Sequence, residues 1–165
     1  MSTVENRAAE HAAAHGVHRV TPHLVCAGAA AAIDFYKKAF GATEMARLGT
    51  DDGKIMHACL CINGSSVMLV DEFPEMGCVG PAPTGASPVT IHLVVDDADA
   101  WVARAEAAGA TVTMPVDEMF WGDRYGVVRD PFGHSWSMGT PVRKLSEAEL
   151  REAARAAMSA GAATA

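Results

Sequence analysis

Seven histidines, four cysteines and twenty carboxylates carry the acid–base and ligand chemistry open to this 165-residue chain. His23 and His92 stand in matching segments, Thr21-Pro22-His23-Leu24-Val25 and Thr90-Ile91-His92-Leu93-Val94. Imidazole exchanges protons near neutral pH, so the pair are candidate catalytic residues, a general acid and base toward a carbonyl or hydroxyl compound. Between 120 and 136 a second group gathers: Phe120, Trp121, Arg124, Tyr125 and Trp136. Aromatic faces can sandwich a flat apolar ligand, and a guanidinium can pair with a carboxylate or phosphate. A structural reading competes with each: Trp136 filling a core, Arg124 tied to Asp123 or Asp130 across a hairpin. His57 reads as a packed or edge histidine.

Other motifs are weak or missing. His11 and His15 stand four apart on a helical segment like a zinc pair, but Ala12 occupies the place of the general-base glutamate, so this reads as a solvated helix face. Nucleophile-elbow, P-loop and dinucleotide fingerprints are absent. Cys26, Cys59, Cys61 and Cys78 show no C-x-x-C spacing and read as buried or incidental thiols of a reducing compartment. Thirteen basic against twenty acidic side chains, a net charge of −7 and no basic cluster exclude nucleic acid as an expected partner. Neither a membrane-spanning apolar run nor a leader pattern in residues 1–10 is readable, so the expected compartment is the cytoplasm.

The elements that must position these residues follow from periodicity. Alanine crowds into residues 8–14, 27–46, 98–110 and 148–165 and is absent from 111 to 147, which places helices at the former and strands in the latter. An N-terminal helix with Ser2 and Glu5 at capping-box spacing ends at Gly16. Strands are predicted at 20–26, 54–62, 65–71, 90–96, 124–130 and 135–139, and helices at 29–40 and 97–108, each followed by a glycine. Asn63-Gly64 is a hairpin dipeptide, and Asp130-Pro131-Phe132-Gly133 a turn that sets a second hairpin's register. Residues 72–88, rich in proline and glycine, read as a linker or long mobile loop. Ser146 with Glu149 caps a last helix striped by Leu150, Ala153, Ala154 and Ala157, and past Met158 the end is expected to fray.

At an offset of 69 the two halves overlay: Thr21 to Val25 on Thr90 to Val94, Gly64 on Gly133, Ser66 on Ser135. Neither half is expected to bury its sheet face alone, so they should share one curved sheet and cavity. Two segments carry a family likeness: Ile33-Asp34-Phe35-Tyr36-Lys37-Lys38-Ala39-Phe40-Gly41-Ala42, and Trp121-Gly122-Asp123-Arg124-Tyr125-Gly126 leading to Asp130-Pro131-Phe132-Gly133-His134-Ser135-Trp136. With the repeat, they resemble the vicinal oxygen chelate superfamily of glyoxalase, bleomycin-resistance and extradiol-dioxygenase proteins, in its PhnB-like branch. The resemblance implies an α+β fold of two tandem βαβββ modules, an eight-stranded mixed, curved sheet around a cavity, and a homodimer. The domain spans 19–143, with module one at 19–72, a linker at 73–88 and module two at 89–143. Residues 1–18 form an N-terminal helical extension, and 144–165 a C-terminal helix and tail.

The resemblance also implies where a divalent metal would sit, and here those positions hold Thr21, Met68, Thr90 and Ser137. None suits such an ion, which prefers imidazole or carboxylate, so no metal is expected there and no cofactor is predicted. The same residues, with Trp121, Arg124 and Tyr125, become candidate ligand-binding residues. His23 and His92 lie two residues past a vacated position and by strand period share its face. With Glu72 they form an alternative metal set for zinc, nickel, manganese or iron. Two functions stay open ahead of a third, a regulatory or scaffold domain working through its acidic surface and helical tails. One is a metal-independent homodimer that sequesters an aromatic or amphipathic organic molecule, as in resistance. The other is a lyase, isomerase or dioxygenase using a metal or His23/His92 acid–base chemistry.

Overall fold

Asn63 and Gly64 both adopt positive φ, 48° and 76°. A two-residue turn of the hairpin type needs this, and it closes β3 (Ile55–Ile62) onto β4 (Ser65–Asp71). The computed structural model describes residues 7–81, 85 and 87–162, so the Ser2–Glu5 capping box and residues 82–84 and 86 of the loop lie outside the described residues. Before the hairpin come α1 (Arg7–Ala14), β1 (His23–Cys26), α2 (Ala29–Phe40) and β2 (Thr43–Gly49). After it come β5 (Thr90–Val94), α3 (Ala98–Ala108), β6 (Thr111–Glu118), β7 (Asp123–Arg129), β8 (Ser135–Pro141) and α4 (Glu147–Ala162).

The class is α+β, and the two βαβββ modules are present. Their eight strands form two open, mixed four-stranded sheets, one to each module, with orders β1-β4-β3-β2 and β5-β8-β7-β6. The chain forms two compact units: 1–87 with 131–133, and 88–130 with 134–165. Each sheet has a helix of its own, so each unit carries a core. In the first, α2 buries Ile33, Phe35, Tyr36 and Phe40, and Leu24, Leu60, Ile62 and Leu69 are buried in its sheet. In the second, Val102 and Ala105 of α3 are buried, as are Leu93, Val128, Trp136 and Met138 of its sheet.

The repeat appears as register. His23 pairs with Met68 and Val25 with Val70 in the parallel β1/β4 ladder; 69 residues on, His92 pairs with Ser137 and Val94 with Gly139 in β5/β8. The antiparallel partner runs at an offset of 68, because Cys59 opposes Met68 whereas Val127 opposes Ser137. The second turn is one residue longer: Asp130 N–H donates to the His134 carbonyl (2.9 Å) around Pro131-Phe132-Gly133. His57 of β3 therefore corresponds to Tyr125 of β7.

Carboxylates and hydroxyls fix the helix starts. Asp71 Oδ1 accepts from Gly28 N (3.1 Å) and Ala29 N (2.7 Å), while its Oδ2 accepts from Ile55 N (2.7 Å). Thr140 takes the equivalent place in module two, accepting from Ala98 N at 2.8 Å, and Asp97 caps α3 by accepting from Ala100 N. Ser146 and Glu149 form the expected capping box, with Ser146 N–H donating to Glu149 Oε2 (2.7 Å) and Glu149 N–H to Ser146 Oγ (3.3 Å). α4 continues to Ala162, beyond the expected end near Met158, carried by alanine's helix propensity.

The segment expected to be a loop is partly built. Residues Pro74–Met76 make a 3-10 turn, and Phe73 and Cys78 exchange backbone hydrogen bonds of 2.8 and 3.1 Å. Among the described residues no helix is long and apolar enough to cross a membrane.

Candidate functional site

In the second unit the strand period sends alternate residues of β5, β7 and β8 to the face away from α3, and there an open cleft of about 440 Å³ is lined by Thr90, His92, Trp121, Asp123, Tyr125 and Ser137. Five of these were expected as ligand-binding or catalytic residues from sequence. His92 is fixed by the strand beside it: Ser137 Oγ lies 2.9 Å from its Nδ1, directly across the parallel ladder. That leaves Nε2 as the nitrogen able to exchange a proton with a bound molecule.

The His92 ring stacks on Tyr125, with centroids 5.9 Å apart and planes 25° from parallel. Trp121 meets Tyr125 edge-on at 5.5 Å, and its indole N–H donates to Asp123 Oδ2 at 3.1 Å. Gly139 makes this wall possible. A Cβ there would stand 2.8 Å from His92 Cε1 and 3.2 Å from Nε2, so any side chain would displace the imidazole. Thr90 donates to Ser135 Oγ at 3.1 Å.

Arg124 is not in the cleft. One residue out of phase with Asp123 and Tyr125, it projects to the other face, where Nε and Nη2 donate to the two oxygens of Asp99 on α3 at 2.7 and 2.8 Å. The guanidinium also holds the Asp99 carboxyl below the usual carboxylate range. Sequence reasoning offered Asp123 or Asp130 as its structural partner, and the bond goes to neither. Asp130 has other duties: its Oδ1 accepts from His134 N (2.9 Å) and its Oδ2 from Trp136 Nε1 (2.9 Å), which seats Trp136 in the core.

The equivalent face of the first unit is different. His23 lies edge-on to His57, centroids 5.9 Å apart, and Met68 stands where Ser137 stands in module two. Incomplete solvation lowers the pKa of His23 first, and repulsion from His57 second, although the imidazole edge reaches solvent. Thr21 Oγ1 donates to the His18 carbonyl (3.0 Å) and shares a 2.7 Å hydrogen bond with Ser66 Oγ. His18 and Ser66 bond reciprocally, His18 N–H to Ser66 Oγ (2.9 Å) and Ser66 N–H to His18 Nδ1 (3.1 Å), pinning the N-terminal extension to β4. His18 was not singled out from sequence, and no motif marks it.

The donor chemistry does not fit a divalent ion at the four positions that the sequence resemblance implies. Thr21, Thr90 and Ser137 offer neutral hydroxyls already hydrogen-bonded within the protein, and Met68 a thioether. In the alternative set, Glu72 Oε1 accepts from Gly80 N at 2.8 Å, and His23 and Glu72 belong to one unit, His92 to the other. Within each unit, among the described residues, no three His, Cys, Asp or Glu side chains form a metal-binding group.

Comparison with known proteins places this arrangement. The uncharacterized protein Rv0887c of Mycobacterium tuberculosis is 54% identical over 138 residues, covering 81% of this chain and 81% of that protein. The crystallised At5g48480 gene product of Arabidopsis thaliana is similar at 31% identity and a TM-score of 0.61, over 73% of this chain and 97% of that one. TioX from Micromonospora sp. ML1 follows at 26% identity and a TM-score of 0.59, over 74% and 98% of the two chains. A family model matches residues 7–138, and with that match and these relatives the chain belongs to the glyoxalase/bleomycin resistance protein/dioxygenase superfamily.

Proposed function

We propose that this chain binds a small aromatic or amphipathic organic molecule in the module-two cleft and sequesters it, acting as a metal-independent homodimer in the cytoplasm. The observation that carries the reading is the wall of Trp121, Tyr125 and His92, three rings in one open cleft whose volume suits a small organic ligand. Stacking against such faces gives affinity without any reaction. Hydroxyl and thioether donors at the four positions that the sequence resemblance implies support metal independence.

A thermal-shift screen of aromatic compounds tests the reading: a bound ligand should raise the melting temperature of the parent, and Trp121→Ala should remove most of that increase. Stabilisation unchanged by Trp121→Ala would move the site elsewhere.

The His92–Ser137 bond favours a second reading. An imidazole with one nitrogen anchored and the other able to exchange protons is suited to general acid–base catalysis of an isomerisation or lyase reaction on the molecule held there. Ligand turnover by the parent, abolished in His92→Gln while binding persists, would establish this reading over sequestration.

A further inference from the structure

The cleft has one carboxylate, Asp123, set among aromatic rings, and among the described residues lining it there is no lysine or arginine. Asp123 Oδ2 is held by the Trp121 indole N–H, so the negative charge is fixed at the edge of the Trp121 ring, which meets Tyr125 at 5.5 Å. The nearest guanidinium in sequence, Arg124, is turned away by the strand period and held through Nε and Nη2 by the two oxygens of Asp99. A ligand carboxylate or phosphate entering the cleft would meet Asp123 with no fixed cation to offset it. A cation would meet ring faces, whose quadrupoles attract positive charge, together with a carboxylate. The net charge of −7 adds a field of the same sign at longer range.

We propose that the module-two cleft selects cations: its ligand is an aromatic or alkylated molecule carrying a positively charged nitrogen, seated on Trp121 and Tyr125 and balanced by Asp123. This rests on the cleft being the binding site, and the experiment separates the two claims. The full chain is titrated calorimetrically at pH 8 with 1-methylquinolinium, its neutral analogue quinoline, and quinoline-2-carboxylate.

The cation should bind about tenfold more tightly than quinoline, with the carboxylate weakest. Asp123→Asn should erase the preference, Asp123→Glu should retain it, and Trp121→Ala should weaken all three. Circular dichroism checks that each variant is folded. Equal binding of cation and neutral analogue, both sensitive to Trp121→Ala, overturns the cation preference and leaves the cleft as the site. Binding insensitive to Trp121→Ala, or none by any of the three probes, overturns both claims. A preference that survives Asp123→Asn sinks the role given to that carboxylate.

Discussion

His23 and His92 occupy the same place in two copies of one module, and single-residue differences around them separate their chemistry. Ser137 gives His92 a hydrogen-bond partner where Met68 gives His23 none from that position, and Gly139 admits the His92 ring where Val70 stands in module one. Gly139→Ala should push the imidazole off Tyr125, changing the His92 ring resonances and reducing probe affinity several-fold while circular dichroism stays native; unchanged histidine resonances would contradict the packing. Arg124→Ala should leave ligand affinity as it is, since the guanidinium serves α3.

His23 also has a pH signature. Its pKa is lower in the folded than in the unfolded protein, so the native state favours the neutral ring. The associated stability is present above the unfolded value of about 6.5 and is lost as pH falls from there through the lower folded value. Urea titrations of His23→Gln should show a shallower stability loss below about pH 6.5 than the parent, and parallel curves would refute this. Trp121 and Tyr125 were legible in the sequence because the rings cluster between 120 and 136, His92 because the repeat matches it to His23, and Thr90 and Ser137 through the family resemblance. Asp123 was readable in principle as the residue two before Tyr125, on the same strand face. Arg124's partner was not, because Asp99 lies 25 residues away on a helix whose docking only the fold determines.

At the scale of elements, the helices and six of the eight strands, β1 and β5 at the sheet edges among them, follow directly from sequence. The outer strands β2 and β6 left no such trace in the periodicity and were expected only through the family resemblance. They are edge strands: β2 is exposed along its whole length, both have irregular register, and β6 includes Pro115, a residue an edge tolerates. The offset of 69 was visible because the parallel ladders preserve it, whereas the one-residue slip of the antiparallel partner is hidden in the longer second turn. Asp71 joins three elements by capping α2 and holding the start of β3. Asp71→Ala leaves three backbone N–H groups without that acceptor and should cost about 2–3 kcal/mol in a denaturant titration, in the range for a lost cap plus an unsatisfied buried donor. A loss below about 0.5 kcal/mol, the size of an ordinary surface change, would show that water replaces the carboxylate freely.

For the whole molecule, the sequence supported two descriptions, one domain or two halves, and the repeat explains why. Each unit has a sheet, a helix and buried apolar side chains, and the first also takes residues 131–133 from the second half, with the Phe132 ring against Phe35 and Tyr36. The proposed homodimer belongs to this scale. Sedimentation equilibrium should return twice the 17.2 kDa chain mass, and a monomer at high concentration would contradict it. The central claim is that a ligand sits against the ring wall of module two, and the three tryptophans report on it most directly. Trp121 lines the cleft, Trp136 is fully buried under Asp130, and Trp101 lies on α3. In a nitrogen–proton correlation spectrum titrated with a cationic aromatic probe, the Trp121 indole resonance, assigned by Trp121→Phe, should move with saturation while those of Trp101 and Trp136 stay in place. Saturable binding that leaves the Trp121 indole unmoved would contradict the account.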